Sequence, residues 1–245
     1  MKKIFVMVVA AMMATMSANA QTENSNWTLN TRAWSTNYFT SMIFGAVSES
    51  VCRLAFRENE SDSLWAERII PTPDLVFPIG MGKKGFEGDN NIYGPYHRAF
   101  GNPIKHIGDY GIGLDVSFKP SVLGFYAGAY FKSQEVEFKK TDLNIRGFYF
   151  QPRCGLVMGG KDMAIEAGVF YDVLTGIGGS MPNTEKDMLK GGLGLDFGLS
   201  SIDKGGRTVL QFSMPLHNFF NTDYHGLEGV KRKVGYIMLT RRVCL

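Results

Sequence analysis

Five charged residues carry most of the chemical content of this chain: Asp115, Arg153, Glu166, Lys190 and Asp196. Each falls opposite in parity to a run of large apolar side chains. That is the placement of a charge turned into a closed interior, where charges must pair. The pattern predicts an ion-pair network with two roles open to it: a plug that keeps a lumen shut, or a gated path for protons. Eight strands leave little more room than side chains fill, which favours the plug.

Ser213 and His217 stand four positions apart. A nucleophile and a base need hydrogen-bond reach of one another, and no motif surrounds this pair. His97, His106, His217 and His225 all fall in long connections between strands. None sits at tight ligand spacing, and no cysteine or acidic cluster accompanies them, so neither a metal nor another cofactor is expected. Gly111-Ile112-Gly113 and Gly192-Leu193-Gly194 lie inside strands and cannot cradle phosphate. Cys52, Cys154 and Cys244 are too few and too widely spaced for a disulfide framework. Asp62-Ser63-Leu64 is a short triplet of a type some bacteria glycosylate.

The elements that hold these residues alternate with period two, which is a strand signal. In 110–119, Tyr110, Ile112, Leu114, Val116 and Phe118 share a face against Gly111, Gly113, Asp115 and Ser117. The same reading gives strands at 123–131, 148–158, 163–173, 189–199, 208–214 and 234–245. An even number needs one more, and 34–45 is the best candidate, with Trp34, Tyr38, Met42 and Phe44 on one face. Short connections at 119–122, 159–160 and 202–206 alternate with long ones at 132–143, 175–186 and 216–233. The longest, 46–109, would be a first extracellular loop, and within it 51–56 could form a short extra strand. Tight turns on one side and long loops on the other describe an all-β, antiparallel up-and-down transmembrane β-barrel of eight strands.

The face opposite the apolar one is rich in glycine, which a solvent-facing surface would not favour because glycine weakens strands. In a narrow membrane barrel, small residues such as Gly113, Gly128, Gly168 and Gly194 make room for Tyr126, Tyr130, Tyr149 and Phe170. The Gly159-Gly160 turn, taken as a two-residue hairpin, sets Met158 against Lys161 and Arg153 against Glu166.

Residues 1–20 have the form of a signal peptide: Lys2 and Lys3, a short apolar run, then Ser17-Ala18-Asn19-Ala20 before Gln21. Residues 21–245 would then form the barrel domain. The chain has 26 basic and 23 acidic residues, and removal of Lys2 and Lys3 leaves a charge of +1. Nothing in that balance suggests nucleic acid.

Leader and strand pattern together resemble the small eight-stranded outer-membrane barrel proteins of Gram-negative bacteria. The resemblance implies residence in the outer membrane, contact with outer-membrane lipid, and a surface ligand or protein partner met through the loops. It is architectural and carries no specific motif. Two features depart from it: the chain ends in Val243-Cys244-Leu245 rather than on an aromatic residue, and the first connection is long. The expected role is envelope structure or surface recognition. The alternatives are a lipid-modifying enzyme, a narrow transport pore, and a soluble periplasmic ligand-binding barrel.

Overall fold

The computed structural model describes residues 26–35, 43, 75–82, 104–138, 143–160, 162–203, 206–224, 227 and 232–244. The leader reading of 1–20 and the possible strand at 51–56 lie outside them. The described chain is all-β apart from one 3-10 turn and a single helical position at Ile43. Its strands are β1 (Trp27–Ser35), β2 (Leu75–Gly82), β3 (Ile104–Phe118), β4 (Leu123–Phe138), β5 (Leu143–Gly159), β6 (Met163–Gly179), β7 (Gly192–Asp203), β8 (Gly206–Pro215) and β9 (Arg232–Cys244).

From β3 to β9 each strand pairs antiparallel with the next, an up-and-down meander. β1 lies on the outer edge of β3, from Trp27↔Phe118 to Ser35↔Tyr110. The sheet curls until β1 meets β9 through Thr28↔Cys244 and Leu29↔Val243. These eight strands, β1 and β3 to β9, make the barrel. β2 takes the rest of the β9 edge, from Leu75↔Leu239 to Gly82↔Arg232.

Three expectations are corrected here. The first described strand, Trp27–Ser35, begins before the expected 34–45 and takes in its first two positions; Ile43 is helical, and the rest of 34–45 lies outside the described residues. The connection 46–109 is not a plain loop, because it contains β2 and the start of β3. The connection 132–143 is mostly strand, since β4 and β5 stay paired as far as Phe138↔Leu143. Polar residues such as Ser133, Gln134 and Glu135 read as loop in sequence, yet all are buried in the extended ladder.

Parity decides what each side chain meets. On β5, Tyr149, Gln151, Arg153 and Val157 are buried while Phe148, Cys154, Leu156 and Met158 are exposed. On β6, Ala164, Glu166, Phe170 and Asp172 are buried while Met163, Ile165, Val169, Tyr171 and Val173 are exposed. The polar face is therefore inside and the apolar face outside. Glycine makes the narrow interior possible: a Cβ on Gly194 would overlap the Phe170 ring, and one on Gly168 would overlap the Tyr126 hydroxyl.

Candidate functional site

The lumen holds two polar clusters, one above the other. In the cluster nearer the short turns, Arg153 of β5 reaches Asp196 of β7, Nη2 to Oδ2 at 2.6 Å. Both side chains are essentially without solvent contact, at 0% and 1% exposure. The guanidinium lies 4.7 Å from the Tyr130 ring centroid and 5.7 Å from that of Tyr126. Tyr130 in turn donates its hydroxyl proton to Asp115 of β3. A buried cation is thus held by one direct carboxylate, two ring faces and a second carboxylate reached through a tyrosine.

Arg153 does not stand opposite Glu166, as the two-residue turn would require. The ladder closes at Gly159↔Ala164, so the turn is longer and the register moves by four: Arg153 faces Phe170, and Glu166 faces Val157. An even shift preserves parity, so Glu166 is still buried inside, one layer nearer the turn and beside Gly198 of β7. Lys190 leaves the interior altogether. β7 begins at Gly192, and Lys190 lies exposed beyond it, 3.4 Å from Asp223.

The second cluster lies toward the long loops. Lys132 of β4 binds Asp172 of β6 at 2.8 Å and stands over the rings of Tyr149, Phe170 and Tyr236 at 5.5–5.7 Å. Gln151 donates to the other Asp172 oxygen at 2.8 Å. Gln134 donates to the Tyr236 hydroxyl at 2.5 Å, and that hydroxyl donates to Asp109. Phe170 touches both clusters: its ring lies across Gly194 and 5.5 Å from the Lys132 ammonium, and its backbone pairs with Arg153. Sequence reasoning missed Lys132, Gln134 and Asp109 as interior groups because they fell in presumed loops. Continuing the β4 parity from Tyr126 and Tyr130 would have found Lys132 and Gln134.

Above this cluster the lumen is capped. Met181, Met188 and Leu189 from the β6–β7 loop meet Phe219, Phe220 and Leu227 from the β8–β9 loop in one apolar cluster, resting on Val136, Ile145 and Tyr149 of the wall. The loops are stitched by a bridge between Leu189 and Phe220 and by backbone bonds from Lys190 to Phe219 and from Asn221 to Met188, at 3.0 and 2.9 Å. The Tyr224 hydroxyl donates to Glu185 at 2.9 Å, and the Asn221 amide to the Asp187 carbonyl at 2.8 Å.

His217 sits where the β8 chain enters the cap. Its Nε2 is 3.5 Å from Asp172, and its Nδ1 is 3.4 Å from the Leu193 carbonyl. Burial pushes its pKa down; Asp172 and that carbonyl oppose the shift, while Lys132 and Lys233 add to it. Both ring nitrogens are occupied by groups other than Ser213, which is buried on β8 opposite Asp196 and Tyr236. The two do not form a nucleophile–base pair. His106 lies in β3, and among the described residues no three His, Cys, Asp or Glu side chains gather as a metal site. Cys154 is exposed on the outer face. No family model, curated protein or solved structure matches the chain.

Proposed function

We propose that this chain is an outer-membrane β-barrel that works as a solid, capped anchor, serving envelope structure or surface recognition through its outer end. One observation carries the reading: the outer wall is apolar over a height that suits a bilayer. Exposed outward positions run from Phe148 to Met158 on β5 and from Met163 to Val173 on β6. Each run measures about 33 Å along the strand at ~3.3 Å per residue. Tilted by about 40°, it covers roughly 25 Å, the height of the apolar band on membrane barrels.

Aromatic contacts mark both margins of that band. Trp27 and Phe118 pack at 4.5 Å with their rings tilted by 38°, and Phe125 lies 5.7 Å from Phe118, near the short turns. Phe131 and Phe150 lie 5.0 Å apart toward the loops. A soluble carrier would keep such a face inside, around its ligand. The packed lumen and the apolar cap argue against a pore, and the orientation of His217 argues against a Ser213-dependent enzyme. Among the described residues the cap offers a polar surface to a partner, with Asn183, Glu185, Asp187, Lys190 and Asp223 exposed.

The test is heat modifiability of the native protein from washed outer membranes, with unheated and boiled samples run side by side on a detergent gel. Fractionation with the membrane and a shift on boiling are expected. A freely soluble protein that migrates identically in both lanes would overturn the reading.

A further inference from the structure

We propose that His217 is a proton-sensitive latch, which holds the two-loop cap over the lumen and loosens it on acidification. The position is that of a hinge. His217 follows β8 by two residues, at the root of the segment that leads into the cap. It is tied to two other strands at once, to β6 through Asp172 and to β7 through the Leu193 carbonyl. It also packs against the backbone of Gly192, where an added Cβ would come within 2.8 Å of its own Cβ.

The electrostatic setting makes the latch one-sided. The charged groups that act on the ring are Asp172 from β6, Lys132 from β4 and Lys233 from β9. Asp172 is already committed to Lys132 at 2.8 Å and to Gln151 at 2.8 Å. A protonated His217, its side chain 10% exposed, would be a further cation competing for one carboxylate that already has its partners. Opening the cap lets water reach the ring and frees it from the lysines. The open form therefore binds the proton more tightly, and linkage requires acid to favour it. The balance holds wherever the barrel resides, so it stands or falls independently of the outer-membrane reading.

The experiment is hydrogen exchange by mass spectrometry on the full folded chain in detergent micelles at pH 7.5 and 5.5, corrected for chemical exchange rates. Peptides covering 181–190 and 216–224 report the cap, and peptides covering 148–158 report the wall. Cap protection should fall by up to about tenfold at the lower pH, the limit for a group whose open-state pKa is near 6.5. Wall protection should not change. His217→Gln keeps a polar group but carries no charge, and should show equal protection at both pH values. If that variant is open at both, Lys132→Met decides. It gives Asp172 to His217 alone and removes a repelling cation, so the cap should stay protected at pH 5.5. A wild-type cap indifferent to pH, or an acid response unchanged in both variants, would refute the latch.

Discussion

The Arg153–Asp196 pair offers the sharpest test of how the lumen is held together. Replacing Arg153 by Met keeps most of its volume and leaves Asp196 charged, buried and without its cation. Breaking a buried pair in this way costs about 3–5 kcal/mol, or roughly two to four decades in the folding equilibrium. The side chains are 0% and 1% exposed, so little of that cost should be recovered by water. Asp196→Leu should cost a similar amount, because it strands the guanidinium between two tyrosine rings. The double variant removes both charges, and Asp115 still accepts the hydrogen bond from the Tyr130 hydroxyl. It should fall within about 2 kcal/mol of the parent, since well-packed apolar replacements of buried pairs are often neutral. Urea titrations of the reversibly folded protein in lipid vesicles, read by tryptophan fluorescence and by gel shift, would give the four free energies of the cycle. These figures require a coupling of at least about 4 kcal/mol. If the single losses simply add in the double variant, the two groups do not hold each other and the account of the lower cluster is wrong.

Other predictions follow from the two faces and the cap. Gly194→Val should destabilise by about 1–3 kcal/mol in the same titration, by overpacking against Phe170, whereas Gly160→Ala should be near neutral because nothing lies within 4 Å of its added Cβ. Val169→Arg, near the middle of the outward band, should cost about 2–4 kcal/mol in lipid; a change below 0.5 kcal/mol, ordinary for a water-facing site, would contradict the membrane reading. Phe220→Ala removes a fully buried ring from the cap, and should speed proteolytic nicking at 216–224 while leaving the barrel's heat-dependent gel shift intact. Planar-bilayer recordings of the parent protein should show no conductance, and frequent openings would refute the filled lumen.

How far the sequence foretold this architecture follows from which features survive an error. Parity survives an even slip, so Arg153, Asp196, Asp115 and Glu166 were assigned to the interior even though the β5–β6 register was wrong by four. Strand ends are less legible. β4 continues through Ser133, Gln134 and Glu135, whose polarity looks like loop until the covering elements are present. The strand at Trp27–Ser35 was overlooked before Trp34 because Trp34, Tyr38, Met42 and Phe44 make a louder apolar period in sequence than Trp27, Leu29 and Ala33. Lys190 was read inward because the strand was started too early, at Leu189. The stitching of Leu189 to Phe220 and the seat of His217 join loops distant in sequence, and local periodicity carries no trace of them.

The closing contact has a consequence for assembly. Thr28 pairs with Cys244 and Leu29 with Val243, so the seam joins segments roughly 200 residues apart. Bringing such distant points together in a random chain would cost about 5 kcal/mol of loop entropy. Zipping each hairpin from β3 to β9 first removes most of that burden, because the curling sheet carries its two edges toward one another. β9 then offers a single edge to two earlier segments: its far end to β1, and its near end to β2. Until β9 arrives, the growing sheet keeps a bare rim on both sides, a state prone to mispairing with another chain. β9 thus acts as the fastener, and mistakes in 232–244 should appear as failures of biogenesis before they appear as failures of a finished barrel.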